Sequence, residues 1–477
     1  MKVLTKALAA ILVICMLFSL AACGGGATAT KAPTAAPTVA PTAAPDAGDD
    51  ADDADDADPP SEDDVAAQIA ADKARVFELR EINPLAFNGL GPLHYESRAD
   101  IGKGLPREKK DPADVILGFS AGSMSSPYFA NLIENTEREA KKAGFNIITQ
   151  LNNGNRELAY EQMDAFIAQG VDMLVAQTDP TNADPVFRRA VEKGIPVIAT
   201  SAQPMGSSNV VITNILSSGM IAGFYVGDYT ARYLYDKFPK DHVFQIGAVV
   251  FSIATGDSQS RNTGFYSGFL YALAELDGHP YTSKWGAIVD GYNCWDNLAT
   301  KGIYDATKDG FRIDLRGYGN GNTSDAPGGQ LGTSDLIVAH PEIEIMTFDC
   351  DPMFPGGEIV LQQNNKTPGE DIYIACMADG TPYGMESIKN GKIVAIGNNS
   401  SSMNSYGMIA AARAIFIDGI DMNNIIPNTY TPTVAITPEN VDEYFDPDRP
   451  MALGMDWELE NIDDYNARMA AGTGEPF

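Results

Sequence analysis

Residues 115–149 read VILGFSAGSMSSPYFANLIENTEREAKKAGFNIIT, and they predict a strand, a helix and a second strand in direct succession. The apolar run Val115–Ser120 is typical of a strand that is buried on both faces. Ser126 and Pro127 form a favourable N-cap and first-turn pair for the helix, and Gly144 suits its end. A strand, a crossover helix and a parallel strand in this order form one unit of an open α/β sheet.

The same alternation continues along most of the chain and predicts an α/β fold. Single helices separate successive strands, so we expect doubly wound, Rossmann-like sheets with right-handed parallel crossovers. About a dozen strands are too many for one comfortable open sheet, which favours two lobes. The further predicted strands are 145–149, 171–176, 195–199, 210–213, 243–250, 286–290, 312–318, 343–349, 371–377, 393–397 and 431–436.

The first 23 residues are typical of a bacterial secretory signal. Two lysines precede the uncharged apolar run Ala7–Leu20, which is short for a membrane span of about 20 residues. The run ends in LAAC at 20–23, which matches the lipobox of bacterial lipoproteins, whose cysteine is diacylated. We therefore expect a signal peptide at 1–23, a lipid anchor on Cys23 and a location on the extracytoplasmic face of a bacterial cell membrane. The alternative is an ordinary cleaved signal with an incidental cysteine.

Residues 24–64 consist of Pro/Thr/Ala repeats followed by Asp-rich repeats, and they hold one lysine and eleven acidic residues. Such a composition has nothing to bury in a core and predicts a disordered linker that holds a folded body away from the membrane. The whole chain has 33 Lys+Arg against 64 Asp+Glu and a net charge of −31. This acidity argues against nucleic acid as a partner, because phosphate backbones require neutralising cations.

Cysteine usage is sparse. Five cysteines occur, and those outside the signal are Cys294, Cys350 and Cys376. They form no CxxC motif and no Cys/His cluster, so we expect no metal site. Cys350 and Cys376 would end neighbouring strands, so a disulfide between them is one possibility and free thiols are the other.

No catalytic motif stands out. The chain has no P-loop, no G-x-S-x-G elbow and no H-E-x-x-H sequence, and none of its four histidines falls at a predicted strand end. We therefore expect neither an enzyme nor a cofactor. Asp349 and Asp351 leave two interpretations: the paired carboxylates of an extracellular glycan-cleaving enzyme, or one turn cap and one ligand-binding group.

Polar side chains follow the predicted strands. Ligands of doubly wound sheets bind beyond the carboxyl ends of the strands, so these side chains predict a binding cleft. Tyr128 and Phe129 lie beside the first strand, and a polar cleft with aromatic walls suits a hydroxylated ligand. The strand-end groups are Ser123–Ser126, Asn152–Asn155, Thr178–Asp179, Ser201–Gln203, Asp257–Arg261, Asp349–Asp351, Ala378–Asp379 and Asn398–Ser400.

Several of these segments resemble the ribose/galactose-type sugar-binding proteins of ABC importers, in the periplasmic binding protein type I family. The resemblance covers residues 115–440, with a gap in the middle, and it implies two lobes joined by hinge strands that close on a sugar. The segments that carry it include ILGFSAGSMSSPYFANLIENTEREAKKAGFNI (116–147), QMDAFIAQGVDMLVAQTDP (162–180), DSQSRNTGFYSGF (257–269) and ADGTPYGMESIKNGKIVAIGNNS (378–400).

The resemblance also implies which residues contact the ligand. Tyr128 and Phe129 match an aromatic pair that sandwiches the sugar ring, and Arg261 matches a bidentate donor, with Thr263 as the alternative if the register shifts by two. Residues 200–203 (TSAQ) stand where the ribose branch has Asp-Arg, so the sugar itself stays open. The implied ligand-binding residues are Ser126, Tyr128, Phe129, Ser201, Arg261, Asp351, Asp379 and Asn399.

These observations divide the chain into a signal peptide, a linker and a folded body of several parts. An inserted β-α element near 279–309 brings aromatic residues that either join the core or line the cleft: Tyr281, Trp285, Tyr292, Trp295 and Tyr304. The expected segments are the signal 1–23, the linker 24–64, an N-terminal extension 65–112, an N-terminal lobe 113–214 with 400–430, a C-terminal lobe 215–399 with 431–445, and a tail 446–477.

The predicted function is a monomeric, lipid-anchored receptor that passes a sugar-like ligand to an ABC permease. Ligand binding would close the two lobes, and the membrane partner would recognise the closed form. The alternative is a ligand-binding sensor that presents a sugar or signal molecule to a membrane kinase or chemoreceptor. The two would share the same receptor sequence.

Overall fold

The computed structural model of the protein describes residues 61–98, 105, 108–124, 127–177, 180–200, 210–471 and 477. The predicted signal peptide, Cys23 and most of the predicted linker lie outside the described residues. Within the described part, thirteen strands form two sheets, and helices cover both. No helix in this part is long and apolar enough to cross a membrane.

The strands are short and mostly apolar. They are β1 (Ile116–Ala121), β2 (Asn146–Leu151), β3 (Met173–Ala176), β4 (Val197–Thr200), β5 (Thr213–Leu216), β6 (Phe244–Val250), β7 (Tyr304–Asp305), β8 (Ile313–Asn320), β9 (Ile345–Phe348), β10 (Tyr373–Cys376), β11 (Ile393–Gly397), β12 (Asn428–Tyr430) and β13 (Ala435–Ile436).

Helices connect most of these strands. They are α1 (Glu62–Ile82), α2 (Pro127–Ala143), α3 (Arg156–Gln169), α4 (Pro180–Glu192), α5 (Gly219–Tyr235), α6 (Gly256–Leu276), α7 (Lys284–Lys301), α8 (Ala326–Ala339), α9 (Phe354–Gln363), α10 (Pro382–Lys389), α11 (Ser401–Arg413), α12 (Val441–Tyr444) and α13 (Ile462–Ala470).

The first sheet has the order β12-β5-β4-β3-β1-β2, and all its pairs are parallel. The second sheet has the order β13-β11-β10-β9-β6-β8-β7. Its inner pairs are parallel, as the helical crossovers require, but the two-residue edge strands β7 and β13 pair antiparallel. The chain passes to the second sheet after β5, returns after β11 and leaves again after β12. These three passages join the sheets at the carboxyl ends of β5, β11 and β12.

Both faces of each sheet are buried, which explains the uninterrupted apolar runs of the strands. In β6, Ala248 and Val250 join one core cluster, whereas the intervening Val249 joins the cluster on the opposite face. In the first sheet, Leu117 and Leu174 likewise belong to clusters on opposite faces. The alternation of the pleat thus supplies two helix-covered cores per sheet.

The predicted strand 286–290 is wrong, because this segment lies inside helix α7. The run WGAIV is apolar enough for a buried strand, but the buried side chains recur at helical spacing through Trp285, Ile288, Tyr292 and Trp295. Trp285 and Trp295 are both 1% exposed, so the predicted inserted β-α element is a core helix. Of the two interpretations of its aromatic residues, the described structure supports the core.

The folded body begins earlier than predicted. Ser61 and Asp64 form a capping box at the start of α1, so the last residues of the predicted linker are helical. Phe77 of α1 packs against Trp285, with ring centroids 5.7 Å apart. Beyond α1, the guanidinium of Arg98 donates hydrogen bonds to the carbonyls of Val211, Ile212 and Ile425 beside the first sheet. The N-terminal extension therefore contacts elements of both sheets.

Candidate functional site

The predicted site residues within the described part fall at the carboxyl ends of strands or in the helix turns that follow. Tyr128 and Phe129 lie in the first turn of α2, and Arg261 lies in the second turn of α6. Asp379 and Asn399 follow β10 and β11. Ser126 and Ser201 lie outside the described residues, so their assignments stay predictions.

Tyr128 links the first sheet to the charged groups of the second. Its hydroxyl accepts a hydrogen bond of 3.1 Å from Nδ2 of Asn404. The pKa of Tyr128 is raised to about 12, mainly by burial; the charges of Asp379 and Asp257 act in the same direction, whereas a hydrogen bond with Ser217 and the charge of Arg261 lower it. The charged groups that act on the Tyr128 hydroxyl belong to elements of the second sheet.

The two aromatic rings of α2 are nearly perpendicular. The centroids of Tyr128 and Phe129 are 5.5 Å apart, and their planes meet at 83°. The pair therefore offers one ring face and one ring edge side by side, rather than two parallel faces. A flat ligand would stack on one ring and meet the edge of the other.

Arg261 is the buried cation of the site. It is 8% exposed, its Nη1 donates to the carbonyl of Asp349 at 3.1 Å, and its Nη2 lies 3.6 Å from a carboxylate oxygen of Asp257. Burial lowers the pKa of Arg261, but the charges of Asp257 and Asp379 outweigh it and hold the pKa above the ordinary value. Its Nε is buried without a partner and is thus a donor left for a ligand.

Asp379 is held in an unfavourable backbone conformation. Its φ is +88°, in the left-handed region that side chains other than glycine rarely adopt. Burial raises its pKa to about 7, and Asp351 adds to the increase while Arg261 opposes it. Strain and a perturbed pKa in one cleft residue are typical of a functional position.

Asp351 supports this loop, and its role as a ligand contact stays a prediction. Its Oδ1 accepts from the backbone N–H of Gly380 at 2.7 Å, and its Oδ2 accepts from the N–H of Thr381 at 2.9 Å and from the Thr381 hydroxyl. The residue is fully buried and its carboxylate is occupied. We therefore assign Asp351 a positioning role for Asp379.

The carboxylate oxygens of Asp349 also accept hydrogen bonds from other groups of the protein. They accept hydrogen bonds from the N–H of Phe251 at 2.9 Å, from Nδ2 of Asn262 at 3.2 Å and from the hydroxyl of Ser258. Burial raises the pKa of both Asp349 and Asp351 to about 6. Since both carboxylates serve the protein's own backbone and side chains, the arrangement does not fit the two free carboxyl groups of a glycosidase.

The loop function of Asp351 is testable with Asp351→Asn. The amide would turn an NH₂ group toward at least one of the N–H donors of Gly380 and Thr381, leaving it unpaired. We expect the free energy of unfolding to fall by about 2 kcal/mol, the usual cost of a buried polar group that loses its partner. Urea unfolding followed by circular dichroism measures this loss, and an unchanged midpoint would contradict the assigned role.

Asn399 carries the clearest unmet hydrogen-bonding capacity. It is 1% exposed, and neither its Nδ2 nor its Oδ1 has a partner. The Oδ1 of the preceding Asn398 and the hydroxyl of the following Ser400 are also buried without partners. Buried polar groups in proteins are almost always paired, so this concentration at the end of β11 is typical of a polar binding position.

Sequence reasoning missed a network between α2 and α11 that orients Tyr128. Asn404 of α11 donates to Tyr128, and its Oδ1 accepts from the hydroxyl of Ser217 at 3.3 Å. Asn131 donates to Ser401 at 2.8 Å, one turn from the aromatic pair. The sequence does contain a pattern that indicates this network: asparagines and serines recur at helical spacing within the apolar faces of α2 and α11.

The three cysteines of the described part, Cys294, Cys350 and Cys376, are buried free thiols. The possible Cys350–Cys376 disulfide is therefore absent from the structure. The thiol of Cys350 donates to the carbonyl of Ser324 at 3.7 Å, and its hydrogen bonding lowers the pKa of Asp379.

Two α/β sheets joined by three chain passages, with unpaired buried polar groups where their strands end, define a two-lobed solute-binding protein. Residues 117–419 match the model of the periplasmic binding protein domain family, which is more than half of the chain. The chain belongs to this family, and the predicted resemblance and fold class are confirmed.

Individual relatives are distant. The ribose import binding protein of Salmonella typhimurium is 25% identical over 287 residues, which cover 59% of this chain and 78% of that protein. A Mycobacterium smegmatis protein solved with β-D-fucofuranose superposes with a TM-score of 0.51 at 20% identity, covering 75% of this chain and 97% of that chain. An Actinobacillus succinogenes solute-binding protein solved with D-allose also gives 0.51, at 14% identity, over 69% and 100% of the two chains. These structures establish the shared fold.

Proposed function

We propose that the protein is an extracytoplasmic receptor that binds a sugar or sugar-like polyol between its two lobes and delivers it to an ABC permease. The unpaired buried groups of Arg261 and Asn399 are the observation that carries this proposal. They supply fixed donors and an acceptor beyond the strand ends of the second sheet, and the Tyr128 ring on α2 adds an aromatic surface; hydroxyl groups on a sugar ring require this combination. Solute-binding proteins of this family are not enzymes, and we propose the same for this chain.

The charge of the site favours a neutral ligand. Three acidic residues surround Arg261: Asp257 and Asp379 by their charges and Asp349 by its carbonyl contact and charge. The guanidinium charge is thus already compensated before a ligand arrives. An anionic ligand would face these carboxylates, whereas uncharged hydroxyls would both donate to Asp379 and accept from Arg261.

We assign the lobes to 113–214 with 400–430 and to 215–399 with 431–445. The first sheet draws its strands from 116–216 and 428–430, and the second from 244–397 and 435–436, which supports this division. We further propose that the receptor is a monomer, held outside the cell membrane by a lipid on Cys23. The lipobox LAAC supports the anchor, and mass spectrometry of the membrane-extracted chain tests it.

Ligand binding is tested by thermal unfolding of the detergent-solubilised full chain with a panel of ribose, allose, fucose, glucose and inositol. A sugar present at 100 times its Kd stabilises the folded state by about 2.7 kcal/mol, which shifts the melting temperature measurably. We expect such a shift with at least one sugar, and its loss in Tyr128→Ala. If no small hydroxylated solute stabilises the chain, the proposal fails.

The pH dependence of stability and affinity should have opposite signs. The folded pKa of Asp379 is about 7 against an ordinary 3.8, so the folded state favours the protonated carboxyl. Its contribution to stability is complete below the ordinary pKa and is lost as the pH rises through 7. Binding uses the ionised form as acceptor, so we expect the Kd to fall about tenfold from pH 6 to pH 8.

Calorimetric titrations at both pH values, with parallel melting curves, measure the two effects. Asp379→Asn is the matched control, because it removes the titration while keeping the size of the side chain. This variant should bind the sugar more weakly and should lose most of the pH dependence of affinity. A wild-type Kd that is constant between pH 6 and pH 8 would remove Asp379 from the ligand contacts.

A further inference from the structure

Residues 445–461, here named the C-terminal strap, connect α12 to α13 and lie beyond the part of the chain that matches the family. The first half of the strap lies beside the second sheet. There the N–H of Leu453 turns back and donates to the carbonyl of Tyr444, at the end of α12, at 2.9 Å. The strap ends beside the first sheet, where Asn461 forms an antiparallel bridge with Ile425. It is therefore a connection between the sheets in addition to the three passages described above.

The strap contacts the two loops that carry Asp379 and Asn399. Ala452 is 1% exposed and joins the core cluster of the second sheet. A Cβ atom on Gly380 would lie only 2.7 Å from the Ala452 side chain, so the strap packs directly on the loop of Asp379. The carbonyl of Leu453 accepts from Nδ2 of Asn398 at 3.1 Å, next to Asn399. Both contacts fix backbone adjacent to the site.

The same segment also reaches helix α2, which flanks the first sheet. Nη2 of Arg449 donates to Oδ1 of Asn135 on α2 at 2.9 Å. The Asn135 Nδ2 donates to the hydroxyl of Ser402 at 2.6 Å, and that hydroxyl lies 2.9 Å from the carbonyl of Ala452. A chain of hydrogen bonds therefore runs from α2 through α11 to the strap.

We propose that the C-terminal strap is a latch on the binding cleft. Moving the two sheets apart would separate Arg449 from Asn135 or pull Ala452 from Gly380, because the strap is anchored on both sides. The latch thus holds the two sheets in the arrangement seen in the structure and keeps Asp379 and Asn399 in place for the ligand. The role in ligand retention rests on the proposed function, but the mechanical role does not.

The mechanical role is tested without any ligand. Nitroxide labels on the exposed positions Lys193 and Gln363, introduced as Lys193→Cys and Gln363→Cys, report the distance between the ends of α4 and α9. In the full chain, Arg449→Met should broaden the distance distribution and shift it to longer values. Arg316→Met is the matched control, because Arg316 lies in β8 and pairs with Asp314 and Glu342, none of which belongs to the strap. If Arg449→Met leaves the distribution of the parent unchanged, the latch is wrong.

Ligand retention is tested with D-ribose, D-allose and D-fucose by stopped-flow dissociation. Arg449→Met should increase the dissociation rate about tenfold, the size expected for one charge-assisted hydrogen bond, and Arg316→Met should not. A broadened distribution with an unchanged dissociation rate would overturn the retention role. A broadened distribution in a chain that binds none of the panel sugars would support the latch and reject the proposed sugar receptor, so the two failures are distinguishable.

Discussion

Arg261→Met is expected to abolish sugar binding. The substitution removes the unpaired Nε donor and the guanidinium that faces Asp379, while a side chain of similar length still fills the space. Two hydrogen bonds from a charged group contribute about 3 kcal/mol or more, which corresponds to at least a hundredfold rise in Kd. Isothermal titration with the sugar that stabilises the parent chain measures the loss.

Two further variants separate charge from shape. Arg261→Lys keeps the positive charge but not the planar fork, so it should preserve stability and still lose most of the affinity. Arg316→Met removes an arginine from the exposed pairs with Asp314 and Glu342 and should leave binding unchanged. If Arg261→Met binds as well as the control, Arg261 is a structural ion-pair partner only.

Trp285→Ala is expected to cause the largest loss of stability. The indole is 1% exposed in α7, packs on Phe77 and lies under the ammonium of Lys73, 5.7 Å from the ring centroid. Removing a buried tryptophan costs about 3–5 kcal/mol, and here it also removes the surface on which α1 docks. Urea unfolding followed by circular dichroism should show the midpoint at a lower concentration.

The Trp285→Ala variant also tests whether the aromatic residues of α7 belong to the core or line the binding cleft. Because Trp285 packs against α1 and not against the site residues, the Kd for sugar should change less than about twofold at a temperature where the variant is folded. Ile82→Ala is the control on the same helix α1. Because Ile82 is 60% exposed, this substitution should leave the free energy of unfolding nearly unchanged. Intact stability with lost affinity would place the aromatic residues of α7 in the cleft.

The alternation of apolar runs and glycine-terminated helices was sufficient to predict the α/β class, because each strand is buried on both faces. It failed at 286–290, where WGAIV is compatible with either period over five residues. Only the recurrence of large side chains at helical spacing as far as Trp295 distinguishes the helix. A window of five residues is too short to contain this recurrence. The two-residue edge strand β7 was also missed, since two residues contain no periodicity.

The site was partly predictable for a different reason. Strand ends converge at one edge of a parallel sheet, so Arg261, Asp379 and Asn399 could be selected without coordinates. Which of two neighbouring carboxylates supports a loop depends on which backbone N–H groups point at it, and that information lies in the tertiary fold. The contact between Asp351 and a ligand therefore stays a prediction, whereas the hydrogen bonds of its oxygens with Gly380 and Thr381 became visible only in the structure.

The buried free thiols have a consequence for where this protein is able to fold. The described body depends on packing and hydrogen bonds, and none of its cross-sheet contacts is a covalent bond between sulfurs. Its stability should therefore be the same with and without a reductant such as dithiothreitol, since no disulfide is available to lose. The body should reach its native state under reducing as well as oxidising conditions, so its folding does not require an oxidising compartment.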